Sequence, residues 1–172
     1  MQTDNREDEF RSFVLAHRES LRRYAYMLCG DWHEADDLVQ KSLTKLFPAW
    51  HRIEHGGTSA YARRIVTNTY LSHLRRGWVR RERSTAEPPD TRVTGTPQEG
   101  VDTRLEVLDA LRRLPKRQRA TLVLRFCEQL SVEETAKAMR CSIGTVKSQS
   151  SKGIQTLRRL LPAQSQPEFQ GR

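Results

Sequence analysis

The sequence predicts an all-α protein: two small helical domains joined by a flexible linker. Three observations carry this. Apolar residues recur three and four apart, the period of an amphipathic helix and not of a strand. Ser131 with Glu134, and Asp31 with Glu34, have the spacing of a helix-starting capping box. Between the helical stretches lies Ser84–Thr103, STAEPPDTRVTGTPQEGVDT, with three prolines, two glycines and no aromatic residue. The expected divisions are therefore residues 1–83, a first domain of three to four helices; 84–103, the linker; 104–161, a second domain of four helices; and 162–172, a disordered tail.

In the first domain, Glu7 to Cys29 reads as a helix with Phe10, Phe13, Val14, His17, Leu21, Tyr24, Ala25 and Leu28 along one side. Gly30 ends it. His17 lies on this stripe and reads as a core or rim histidine. Asp31 caps the next helix, Trp32 to Phe47, whose inner side carries Ala35, Leu38, Val39, Leu43 and Leu46. Asp37, Gln40, Lys41 and Thr44 face outward. His33, Glu34, Asp36 and Asp37 fall within little more than one turn, and no second cluster would complete a coordination sphere, so no metal is expected. Pro48 to Thr58 is a connection broken by Gly56 and Gly57. The third helix runs from Ser59 to about Arg76, with Tyr61, Ala62, Ile65, Thr69 and Ser72 toward the core and Arg64, Asn68, Leu71 and Arg75 on another stripe. From Arg63 to Arg83 there are seven arginines and one acid, interleaved with Tyr70 and Trp78. Positive charge among aromatics suits melted nucleic acid, because bases stack on rings while guanidinium groups follow phosphates.

The linker is mildly acidic, and 20 coil residues span about 25 Å root-mean-square. In the second domain, Leu105, Leu108, Leu111 and Leu114 line the first helix, and Pro115 opens the next at a position that tolerates a missing donor. Arg112, Arg113, Lys116, Arg117 and Arg119 read as solvent-facing. Leu130 to Leu160 then reads as two helices joined by a tight turn at Arg140 and Cys141. Small Ala136 at the centre of the first lets the second cross closely, a helix-turn-helix geometry that offers the second helix to a major groove. On that helix, Ile143, Val146, Ser150, Ile154 and Leu157 should point inward. Thr145, Ser148, Ser151, Lys152, Gln155 and Arg159 should point outward, with Lys147 at the flank. Hydroxyls and lysines there suit base edges and phosphates.

The totals agree with an anionic partner. The 172 residues include 30 Lys and Arg against 21 Asp and Glu, a formal charge of +9. No apolar run approaches the roughly 18 residues of a membrane span. The start, MQTDNREDEF, is polar and acidic, unlike a signal or transit peptide, so membrane insertion is not expected and a cytoplasmic location is. Cys29, Cys127 and Cys141 stand far apart and read as small buried hydrophobes, not as a disulfide or zinc framework.

Three blocks in order, LRRYAYMLCGDWHEADDLVQKSLTKLF, YARRIVTNTYLSHLRR and LRRLPKRQRATLVLRFCEQLSVEETAKAMRCSIGTVKSQSSKGIQTLRRL, resemble the sigma-70 superfamily of RNA polymerase initiation factors. The likeness is to the extracytoplasmic-function (ECF) type, SigE-like group. It implies a region 2-like first domain and a region 4-like second one, core RNA polymerase and promoter DNA as partners, and an anti-sigma factor as a further partner class. It implies no cofactor and no enzymatic activity. By position it assigns polymerase docking to Asp36, Asp37, Gln40 and Lys41. It assigns the minus-10 element to Arg64, Asn68, Arg75 and Arg76, and a flipped base to the loop His51–Thr58. It assigns the minus-35 element to Thr145, Lys147, Ser148, Ser151 and Lys152. Ser72, Gln149 and Ser151 depart from common family residues, so no promoter sequence carries over. The alternative is a stand-alone helix-turn-helix regulator. Such a protein would usually bring a sensor, receiver or dimerisation domain, and the first 83 residues show no alternating strand–helix pattern.

Overall fold

The computed structural model describes residues 2–53, 57–82 and 103–166, and among them it is helical with no strand. The elements are α1 (Gln2–Cys29), α2 (Trp32–Leu46), a 3-10 turn (Phe47–Arg52), α3 (Thr58–Glu82), α4 (Thr103–Arg112), α5 (Lys116–Leu122), a π turn (Val123–Cys127), α6 (Val132–Met139), α7 (Ile143–Leu160) and a last 3-10 turn (Ala163–Ser165). Contacts divide the chain into two compact units, residues 1–26 with 31–79, and residues 27–30 with 80–172. The expected linker, save Thr103, lies outside the described residues.

The first unit is a three-helix body. Its core takes Phe13, Leu21, Tyr24 and Ala25 from α1, Ala35, Leu38, Val39 and Leu46 from α2, and Ala62, Val66, Tyr70 and Leu71 from α3. The Tyr24 hydroxyl meets Thr67 Oγ1 at 2.6 Å, tying α1 to α3 inside this core. Trp50 packs edge-on against Phe10 with centroids 5.1 Å apart, and His17 stacks on Phe13 at 4.3 Å, a half-buried rim position. The expected α3 stripe is corrected here. Tyr61 is 40% exposed, whereas Leu71, placed on the outer stripe, is buried. Val66, Thr67, Thr69, Tyr70 and Leu71 are all buried, so α3 is enclosed round most of its girth and lacks a single apolar stripe.

The second unit packs α4, α5 and α7 around Ala110, Leu111, Leu114, Leu122, Leu157 and Leu161. Leu105, expected on the inner side of α4, is 52% exposed. Arg119, expected in solvent, is buried and donates to the carbonyls of Arg112 and Leu114. Cys127, expected to be buried, is exposed. The chain leaves the π turn with Glu128 N–H donating to Val123 O and with Gln129 at φ 55°. The C-terminal segment is also corrected. Residues 162–166, expected in a disordered tail, fold back on the second unit. The Ser165 hydroxyl donates to Glu106 Oε2 on α4 at 2.5 Å, and the Gln166 amide donates to Arg158 O at 3.1 Å. Those bonds and the burial of Ser165 and Leu161 hold a segment whose composition alone gives no periodic signal. Residues 167–172 lie outside the described residues.

Candidate polymerase- and DNA-binding surfaces

The helix-turn-helix is set by local chemistry. Ser131 Oγ accepts from Glu134 N–H at 3.0 Å, and Glu134 Oε2 accepts from Ser131 N–H at 2.7 Å, closing the capping box at the start of α6. These bonds from Ser131, backbone first, hold the Glu134 carboxyl below the ordinary carboxylate range. Arg140 takes φ 51°, a left-handed end to α6, and Cys141 N–H closes on Ala136 O at 3.0 Å. Thr135 and Ala136, both buried, bring α6 against α7.

Ser142 caps α7 by accepting from Thr145 N–H at 3.0 Å. The inner side of α7 is Val146, Gly153 and Leu157. A Cβ at Gly153 would stand 2.9 Å from Leu122 Cδ1, so the glycine lets α7 close on α5. Sequence periodicity missed this residue because it reads apolar side chains, and glycine has none. Of the five residues expected to read DNA, Lys147, Ser148, Ser151 and Lys152 are exposed. Thr145 is only half-exposed, and its hydroxyl sits 2.9 Å from Ser142 Oγ, so it is engaged in the cap. Ile143, expected to be inward, is 43% exposed. The helix carries no acid.

On α2, Asp37, Gln40 and Lys41 are exposed as expected. Asp36 is not free with them. It faces α1, where Arg22 Nε donates to Oδ1 at 2.7 Å and Nη2 to Oδ2 at 3.4 Å. The Arg22 guanidinium also lies 4.5 Å over the Trp32 ring, which stacks on Tyr26. The hydrogen bond from Arg22 holds the Asp36 carboxyl below its ordinary value. A pair 14 residues apart across two helices leaves no mark on either helix's periodicity. The four residues consequently border two grooves. Asp36 and Gln40 border one between α1 and α2, floored by Phe10, Val14, Val39, Leu43 and Phe47. Asp37 and Lys41 border another between α2 and α3, with Thr69, His73 and Arg76.

On α3, Arg64 and Asn68 are exposed one turn apart, Arg75 is half-exposed and Arg76 exposed. Ser72 organises the last two: Arg75 Nη2 donates to its hydroxyl at 3.1 Å and Arg76 Nε to its carbonyl at 3.4 Å. Of the expected base-receiving loop, residues 54–56 lie outside the described residues. Beside it, Lys45, Pro48, Ala49, Arg52, Ile53, Gly57 and Tyr61 line a concavity with an apolar floor and two cations. Lys45, unmarked in the sequence, is fixed there by donating to Thr69 Oγ1 at 3.1 Å. Among the described residues there is no group of three or more His, Cys, Asp or Glu placed to hold a metal, and no helix long and apolar enough to cross a membrane.

A capped helix-turn-helix with a basic, acid-free outer face defines a DNA-binding transcription protein. Residues 13–80 match Sigma-70 region 2, and residues 104–157 match Sigma-70, region 4. The chain is 35% identical to the RNA polymerase sigma-E factor of Streptomyces coelicolor over 156 residues, 90% of this chain and 87% of that protein. It is 34% identical to the ECF RNA polymerase sigma factor SigE of Mycolicibacterium smegmatis, covering 88% of this chain and 61% of that one. Among solved structures it is similar to the sigma factor RpoE of Bartonella quintana, crystallised with the anti-sigma factor NepR. That likeness has a TM-score of 0.58 and 27% identity over 88% of this chain and 96% of that one. The chain belongs to the sigma-70 superfamily of RNA polymerase sigma factors, of the extracytoplasmic-function type. It directs promoter-specific initiation of transcription, and its family is one of non-catalytic initiation factors.

Proposed function

We propose how the work of a sigma factor is divided over this chain. The exposed ridge of α2, Asp37, Gln40 and Lys41, docks on core RNA polymerase, with Asp36 supporting it through Arg22. Arg64, Asn68, Arg75 and Arg76 of α3 engage the minus-10 element and favour its opening. Lys147, Ser148, Ser151 and Lys152 of α7 lie in the major groove of the minus-35 element. The domains then run over 1–83 and 104–161, with 84–103 threading between them on the polymerase. The protein works in the cytoplasm without catalysis of its own, and an anti-sigma factor is a partner class, as for the Bartonella relative.

The observation that carries this is the outer face of α7. It exposes lysines and short hydroxyls, has no acid along 18 residues, and is held rigidly by Val146, Gly153 and Leu157. Such a face can approach phosphates without repulsion and bring small donors to base edges. The test is transcription by core RNA polymerase, with and without this protein, on genomic fragments whose transcript starts are sequenced. Discrete new starts sharing two upstream motifs are expected. Tight specific binding by the protein alone, with no new starts, would instead mark a stand-alone regulator.

A further inference from the structure

The end of α7 that would lead into DNA is uncharged. Ile143, its first residue, is 43% exposed, one of the few large apolar side chains so placed. Beside it, Gly144 leaves open space, since a Cβ there would meet nothing closer than Ser142 Oγ at 3.8 Å. Thr145, the polar residue of this turn, has its hydroxyl against Ser142. The leading turn therefore presents an isoleucine and bare backbone. Ile143, Gly144, Lys147, Ser148 and Ser151 are all exposed, at i, i+1, i+4, i+5 and i+8, and so form one continuous face.

On the major-groove edges of the bases, the apolar group is the thymine C5-methyl. We propose that Ile143 is a specificity-determining residue that packs on the methyl of a thymine in the upstream promoter element. Gly144 lets the helix backbone come close enough for that contact. An isoleucine set against any other base edge would strip water from a donor or acceptor and return no hydrogen bond, so thymine is favoured both by attraction and by exclusion. The inference rests on the reading of α7 as the minus-35 helix.

The test replaces each thymine of the minus-35 element, on either strand, by deoxyuridine, which deletes the methyl alone. Promoter binding by the reconstituted holoenzyme is measured for the wild type, Ile143→Ala and Ile143→Val. Ile143 is 43% exposed, so its truncation removes little packing, and circular dichroism of each variant checks that the fold is kept. The wild type should lose about fourfold in affinity at one thymine, the worth of one buried methyl. Ile143→Ala should bind the thymine promoter about as weakly as the wild type binds the uracil one, and should lose nothing more on uracil. Ile143→Val should retain part of the sensitivity. A methyl-sensitive position that persists unchanged in Ile143→Ala, or no such position at all, overturns the assignment while leaving the groove reading intact. Binding by the wild type that is indifferent to scrambling the whole minus-35 element overturns both.

Discussion

The two glycines of α7 stand in opposite surroundings, and substitution should separate them. Alanine at Gly153 would push a methyl to 2.9 Å from Leu122 Cδ1, a side chain that is itself buried. Overpacking of this kind costs about 1–3 kcal/mol, against about 1 kcal/mol gained in helix propensity. Gly153→Ala should therefore destabilise the fold by about 1 kcal/mol net, read as a lower urea midpoint, whereas Gly144→Ala, with open space around it, should raise the midpoint. A stabilised Gly153→Ala would remove the close-packing account of the α5–α7 contact. The neighbouring acids of α2 make a second pair. Asp37 is exposed, while Asp36 is engaged by Arg22. Asp37→Arg should weaken capture of core polymerase by about tenfold, and Asp36→Asn by no more than about twofold, since Asp36 acts only indirectly, by bracing α2 through Arg22. Equal losses in the two variants, each still folded by circular dichroism, would place Asp36 back among the contacts.

At the level of elements, the helix starts are legible from the sequence because a cap is a local device. Asp31 accepts from Glu34 N–H at 2.8 Å, and the Ser131–Glu134 box closes as its spacing predicts. The outward faces of α2 and α7 follow from the same 3.6-residue period that buries their inner ones. What the period could not supply is what long-range packing decides. It could not show the enclosure of α3 over consecutive residues, the Arg22–Asp36 pair, the hold of Glu106 on Ser165, or the exposure of Ile143 at a helix's first turn, where no preceding turn exists to cover it. The capping box also carries a pH dependence. The Glu134 carboxyl is depressed in the folded protein, so its contribution is fully present above the unfolded value of about 4.3 and is lost as pH falls through the lower folded one. Ser131→Ala should cost about 1 kcal/mol at neutral pH. It should also move the Glu134 titration upward, measured by NMR of the side-chain carboxyl. Alanine keeps the Ser131 backbone N–H, the larger cause, so the rise is partial; a full return to the ordinary carboxylate range would mean that the backbone bond does not hold the charge.

For the whole molecule, the division into two compact units has an energetic consequence. Each unit has its own core, and the proposed minus-10 and minus-35 residues belong to different units: Asn68 to the first, Lys147 to the second. Residues with no shared partners affect a common process independently, and their free-energy effects add to within about 0.5 kcal/mol. Lys147→Ala should weaken the closed complex, by about 1–3 kcal/mol if the lysine reads a base, and should leave the opening step of bound complexes unchanged. Asn68→Ala should do the reverse, with near-normal promoter binding and reduced permanganate reactivity of the minus-10 thymines. The double variant should then show the product of the two fold-losses in transcript yield, the sum of their free energies. The control is scrambled minus-35 DNA. If Lys147→Ala loses as much there as on the intact element, the lysine holds a phosphate and carries no sequence information, although additivity would survive. A double variant no worse than either single one would break the scheme itself, because it would mean that minus-35 contact and minus-10 opening form one coupled step and that the two units do not act as separate readers.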